Sequence, residues 1–345
     1  MKTADLHKMS AYVGNLNALF GMKEYRLTEG KATGVKAVDL RNGCGIEMTV
    51  LADKCMNIPW LYYKGMSVGF ASKTGIVGPQ YFTEDGAIGF LRQFDGGFLT
   101  TCGITYSGVP FEKDGRKHGL HGTIFNSPAE NFAKEIIDLD GQAALVLRGT
   151  MTESTAFGEN MKLSREMILE TEANRFHIRD TVTNWGFSKE PVMNLYHMNF
   201  GYPMLDAGAR VYSSATSVVP RDAEAQAGLP GYNVMDEPTA GRPEECYFLY
   251  TENSADGYVM LHNEKRGVAA IVRYRTDEIP FVCEWKNMMA GGYALGLEPV
   301  AGGSMDRAAS EADGSLRYLE PGESIHFGID VELTEDPAVI AGYAR

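Results

Sequence analysis

His197 and Glu298 have the residue type and setting that proton transfer requires. His197 stands in the stretch NLYHMNFGYP, among aromatic and amide side chains near a strand end. An unperturbed imidazole gives and takes protons at neutral pH, which suits a general acid. Asn199, two residues on, shares its strand face by alternation. Glu298 lies inside the apolar stretch YALGLEPV, between Leu297 and Pro299. A carboxylate is almost never fully buried without a partner or a task. Desolvation would raise its pKa and make it a useful general base.

Other positions can hold a ligand. Arg92, in FLRQFDGGFLTTCG, offers a guanidinium fork for hydroxyls or a carboxylate. His118 and His121 lie within four positions in HGLHGTIFNSPAE, although the chain has 7 histidines in 345 residues. A glycine-rich loop of this kind can orient a ligand or bind metal. Trp285 can stack on a sugar ring, and its neighbour Lys286 is a further binding candidate. Each position also has an ordinary reading. Arg92 can be a surface residue, His197 a hydrogen-bonded core residue, Glu298 an edge-strand residue facing water, and Trp285 core. H-x-x-H alone is a weak sign of metal, because zinc sites add a further ligand from elsewhere.

The elements that must position these residues read mostly as strands. GVKAVDLRNG alternates apolar and polar residues and ends in Asn42-Gly43, a tight-turn signal. AALVLRGTM, KLSREMILE and NRFHIRDTVTNWG alternate in the same way, and ESIHFGIDVEL closes the series. The 39 glycines punctuate short strands, as expected of an all-β sandwich or barrel. Helical spacing is confined to Leu6, Met9, Val13, Leu16 and Leu19, which predict a short N-terminal helix within a helical extension over 1–25. The Pro/Gly-rich segment 220–243 is either a domain linker or a long loop. We expect one domain spanning 1–345.

Composition excludes some partners. The net charge of −13 argues against nucleic acid and anionic membrane surfaces, which need clustered Lys and Arg. No apolar run is long enough to span a bilayer, and the first residues carry no signal-peptide pattern. Five widely spaced cysteines with no CxxC pair fit reduced thiols in the cytoplasm.

In order, these segments resemble the aldose 1-epimerase (galactose mutarotase) superfamily, and within it a DUF4432-like bacterial branch of unknown function. The resemblance runs from about residue 30 to residue 333. Leu120-His121-Gly122 is similar to the family's LHG segment, VTNWGFSKEPVMNLYHMNFGYPML to the strand with the acid histidine, and GLEP to the strand with the base glutamate. GFLRQFDGGFLTTCG takes the place of the substrate-binding arginine segment. The resemblance implies a galactose mutarotase-like β-sandwich. It also implies Glu298 as base, His197 as acid, and His121 and Arg92 as sugar ligands, with no cofactor. Glu244 or Glu245 is the counterpart of an acidic sugar-binding residue. The stretch DKCMNI, with Lys54 and Asn57, departs from the branch's usual Arg-Gly-(Met)-Asp-type element. If that element touches substrate, specificity differs.

The implied activity is interconversion of the anomers of a free sugar or sugar derivative. Two other readings stay open. One is a sugar isomerase or epimerase acting at carbon, with His118, His121 and His197 around a metal. The other is a non-catalytic carbohydrate-binding protein. The partner is a small sugar, and the oligomeric state is open, a homodimer included.

Overall fold

A computed structural model describes residues 2–113, 115–252, 256–302 and 307–344. Two large antiparallel sheets form the molecule. The first has eleven strands. Across it run Gly21–Arg26, Lys36–Arg41, Ile46–Leu51, Asn57–Tyr63, Leu99–Cys102, Leu195–Phe200, Ala294–Val300, Phe281–Asn287, Glu245–Tyr250 and Ser217–Pro220, with Met66–Ser67 beside Asn57–Tyr63. The second has eight. Its order is Glu130–Leu139, Gln142–Ser154, Asn160–Glu170, Arg175–Asn184, Ser324–Thr334, Val268–Arg275, Asp256–Asn263 and Arg210–Ser213.

Alternation decides which side chains fill the space between the sheets. Met161, Leu163, Met167 and Leu169 enter it from the second sheet; Tyr196, Met198, Phe200, Leu295 and Leu297 enter it from the first. Phe98 and Phe176 meet edge to face across the layers, 5.9 Å apart. Arg165 occupies an inward position that alternation would give to an apolar residue. It is bound by Asp180 (Nε–Oδ1, 2.9 Å) and donates to Thr101 Oγ1 (2.6 Å), while Tyr196 donates to Asp180 (2.7 Å). This satisfied network ties the second sheet to the strands Leu99–Cys102 and Leu195–Phe200.

Two sequence expectations are refined. The N-terminal α-helix is only Leu6–Met9, flanked by 3-10 turns at Thr3–Asp5 and Leu16–Ala18. Gly14 interrupts the helical spacing, and the Asn15 side chain caps a separate turn by accepting from Asn17 N–H (2.9 Å). The proposed extension over 1–25 therefore ends in a strand, because Gly21–Arg26 pairs with Lys36–Arg41. The segment 220–243 joins Ser217–Pro220 to Glu245–Tyr250, which pair with each other in one sheet. It is a loop with a short helix, Ala223–Gly228, and not a linker.

Candidate active site

Three adjacent strands of the first sheet build the site's floor. Leu195–Phe200 pairs with Ala294–Val300, and Ala294–Val300 with Phe281–Asn287. On these strands the residues opposite in phase to the core face away from the second sheet. They include His197, Glu298, Cys283 and Trp285. A second apolar cluster covers this outer face, with Phe90, Phe94 and Phe125 packed against Leu195, Phe281 and Val300. The helix Gly86–Leu91 and the loop that follows deliver Phe90 and Phe94. The result is a cavity of about 670 Å³, lined by His121, His197, Glu298, Trp285, Arg221 and Glu244 among others.

His197 Nδ1 and Glu298 Oε1 approach to 3.2 Å at the base of this cavity. Both atoms are shielded from solvent, and neither has a hydrogen-bond partner. Burial pushes the His197 imidazole well below its ordinary range, helped by the nearby His121. Burial pushes the Glu298 carboxyl well above its range, and Glu244 adds to the rise. Burial therefore favours the neutral pair, an imidazole beside a carboxylic acid. The alternative form, imidazolium beside carboxylate, carries the same total charge. Gly296 makes room for the carboxyl group, since a Cβ there would collide with Glu298 Oε1.

His121 adopts a left-handed backbone (φ 58°), an uncommon state for a residue with a Cβ. Its N–H donates to Gly108 O (2.9 Å), and its carbonyl accepts from Gly103 N–H (3.0 Å). Gly122 must follow, because a Cβ there would lie 2.5 Å from the carbonyl oxygens of Gly103 and Tyr106. His121 Nδ1 accepts from Gly108 N–H (3.4 Å), and burial holds the ring neutral by lowering it to about 4. The tautomer this assigns carries its proton on Nε2, so the ring is a hydrogen-bond donor. The rings of His121 and His197 meet edge to face at 5.6 Å; Phe90 packs on His121 (5.1 Å) and Phe94 on His197 (5.0 Å).

Trp285 completes this aromatic wall, 5.5 Å from His197. Its indole N–H donates to Glu244 Oε2 (2.7 Å), and Arg221 Nη2 donates to Glu244 Oε1 (3.0 Å). Of the two neighbouring glutamates, Glu244 is thus the one that lines the cavity. Glu245 belongs to the next position of the strand and binds Arg242 (2.9 Å) and Tyr247 (2.6 Å) instead.

The structure brings His121, His197, Trp285 and Glu298 together and leaves other candidates out. Arg92 is exposed at the C-cap of Gly86–Leu91 and does not line the cavity. The cavity's guanidinium is Arg221, from the loop segment PRD, where no periodicity marked it. Lys286 follows Trp285 in a strand and so points the opposite way, donating to Gly231 O (3.0 Å). Asn199 is buried and donates to the backbone oxygens of His197 (2.9 Å) and Gly96 (3.3 Å), supporting the strand beneath the cavity. His118 packs on Tyr106 at 4.9 Å, outside the cavity, so the three histidines do not converge. Among the described residues no three His, Cys, Asp or Glu side chains form a metal-binding group. Lys54 and Asn57 are buried away from the cavity. Lys54 Nζ donates to Val77 O (3.0 Å), and Asn57 Nδ2 donates to Phe125 O (3.1 Å). No described helix is long and apolar enough to cross a membrane.

Residues 32–333 match a family described as a domain of unknown function, DUF4432. The chain belongs to that family. Its fold is the galactose mutarotase-like β-sandwich, shared with several solved structures. A candidate aldose 1-epimerase from Klebsiella pneumoniae subsp. pneumoniae MGH 78578 superposes with a TM-score of 0.88 at 24% identity, covering 96% of this chain and 89% of that one. A galactose mutarotase-like protein from Clostridium acetobutylicum gives 0.66 at 15%, covering 92% and 99%. Galactose 1-epimerase from Lactobacillus acidophilus NCFM gives 0.59 at 14%, covering 91% and 99%. No curated protein matches the chain.

Proposed function

We propose that the protein interconverts the anomers of a free sugar or sugar derivative by general acid–base ring opening. The observation that carries this reading is the buried 3.2 Å contact between His197 Nδ1 and Glu298 Oε1, two atoms with no other partner. The anomeric hydroxyl and the ring oxygen of a sugar are bonded to the same carbon. An acid and a base that touch can therefore reach both.

In the imidazolium–carboxylate form, Glu298 takes the proton of the anomeric hydroxyl and His197 gives a proton to the ring oxygen. The C1–O5 bond breaks and an aldehyde forms. The pair is left as imidazole and carboxylic acid, the form that burial favours. Rotation about C1–C2 turns the other carbonyl face toward the ring hydroxyl. Closure returns both protons and yields the other anomer. The two protonation forms of the pair thus alternate along the reaction, and no net proton is consumed.

His121 donates from Nε2 to a sugar hydroxyl. Glu244 and Arg221 hold further hydroxyls, and Trp285 packs on an apolar ring face. Replacing Glu298 by Gln tests the assignment. Anomer exchange is expected to fall by roughly 10²- to 10⁴-fold while sugar binding, followed by calorimetry, persists; full exchange in this variant would show that Glu298 is not the base.

A further inference from the structure

Two of the five cysteines face the cavity. Cys246 and Cys283 line it, each 4% exposed, and both are free thiols. They sit on adjacent strands, Glu245–Tyr250 and Phe281–Asn287. Cys246 is paired with Trp285, which places it diagonally across from Cys283 on the same face. Cys283 stands directly opposite Glu298 in the ladder, and its thiol hydrogen-bonds the carboxyl group. The thiols therefore form a bridge across the sheet from the Arg221 edge of the cavity to Glu298.

The two sulfurs differ in surroundings. Arg221 Nη1 donates to Cys246 Sγ at 2.8 Å. A guanidinium against sulfur stabilises the negative charge that sulfur carries when it attacks as a nucleophile. Cys283 has no such cation in direct contact, and its hydrogen bond with Cys246 and its burial push it well above the ordinary thiol range. Cys55 and Cys102 are fully buried and do not line the cavity; Cys44 is exposed on the surface.

We propose that Cys246 is a nucleophilic thiol and that the wall it shares with Cys283 is a covalent modification site for small soft electrophiles. In the step, the Cys246 sulfur forms a bond to an electrophilic carbon, the leaving group departs with the electron pair of its own bond, and the thiol proton passes to solvent. The adduct occupies the space beside Arg221 and Glu298. The proposal stands whether or not the cavity turns over sugar.

Peptide mass spectrometry after treatment with iodoacetamide tests it. Cys44 and Cys246 are expected to gain one carbamidomethyl group each, while Cys55 and Cys102 gain none. Arg221→Gln is expected to slow alkylation of Cys246 by about tenfold, the effect of losing one hydrogen bond from a charged donor, and to leave Cys44 unchanged. A maleimide attached to a long polyethylene glycol provides a control on the wild-type protein. It should label Cys44 and spare Cys246, because the latter is reached only through the cavity. Cys246 remaining free when Cys44 is fully alkylated would overturn the proposal. So would equal rates in the wild type and Arg221→Gln, or labelling of Cys246 by the large reagent.

Discussion

His197 and Glu298 face each other at 3.2 Å on neighbouring strands, and neither of the facing atoms has another partner. Leaving two buried polar atoms unpaired costs free energy, so a ligand that supplies a hydroxyl and an ether oxygen gains by entering. His197→Gln and Glu298→Gln are each expected to slow anomer exchange by roughly 10²- to 10⁴-fold. Because the two act on one proton circuit, the double variant should be much less impaired than the product of the single effects. Rates measured by polarimetry on all three variants decide this; independent, multiplying effects would argue against a coupled pair.

Gly296 offers a test that leaves both reacting side chains in place. Its missing Cβ is the space the Glu298 carboxyl uses. Gly296→Ala should move that carboxyl, and a displacement near 1 Å costs on the order of 100-fold in rate. Thermal denaturation should show the sheet still folded. A fully active Gly296→Ala protein would mean that the carboxyl position is not critical.

Arg221 and Arg92 separate the cavity from the surface. Arg221→Ala should weaken sugar binding by about 1.5–3 kcal/mol, the contribution of a hydrogen bond to a charged group. Arg92→Ala, at an exposed helix end, should change it by less than about 0.5 kcal/mol. Titration calorimetry on the two variants with a sugar that binds the wild type would expose the reverse order, if it held.

Much of the scaffold was legible because strand alternation is a local pattern. Met161, Leu163, Met167 and Leu169 announce their inward face every second residue. Glu298 was legible for a related reason, as a carboxylate set in an apolar strand. Arg221 was not, because its place depends on how a loop between two paired strands folds over the sheet. Lys286 was misplaced by adjacency: next to Trp285 in sequence, it is on the other side of the sheet. Arg165 hid inside a regular alternating strand. Only the partners Asp180, Thr101 and Tyr196, distant in sequence, show what it does.

Glu284 predicts a pH dependence of stability. It is fully buried, both carboxyl oxygens lack partners, and burial raises it from 4.5 to about 8. The folded protein keeps this proton where the unfolded chain has released it. The group's contribution is thus present in full below about 4.5 and lost as pH rises toward about 8. His121, lowered from 6.5 to about 4, works in the opposite sense at acid pH, so its effect falls below 6.5; above that, Glu298, also raised by burial, adds a slope of the same sign to that of Glu284. There the wild type should lose up to about 1.4 kcal/mol of stability per pH unit through Glu284. Glu284→Gln should flatten that slope. Urea unfolding across the window measures it, and an unchanged slope in the variant would rule Glu284 out as its source.

The most direct measurement is NMR exchange spectroscopy in D₂O on a panel of reducing sugars with catalytic amounts of protein. Acid–base ring opening by His197 and Glu298 predicts accelerated exchange between α and β anomer signals, no deuterium on any ring carbon, and loss of the effect in Glu298→Gln. Deuterium at C2, or signals of a new sugar, would place the chemistry at carbon and contradict the account. Saturable binding without exchange on any sugar would contradict it equally and mark the cavity as a binding site alone.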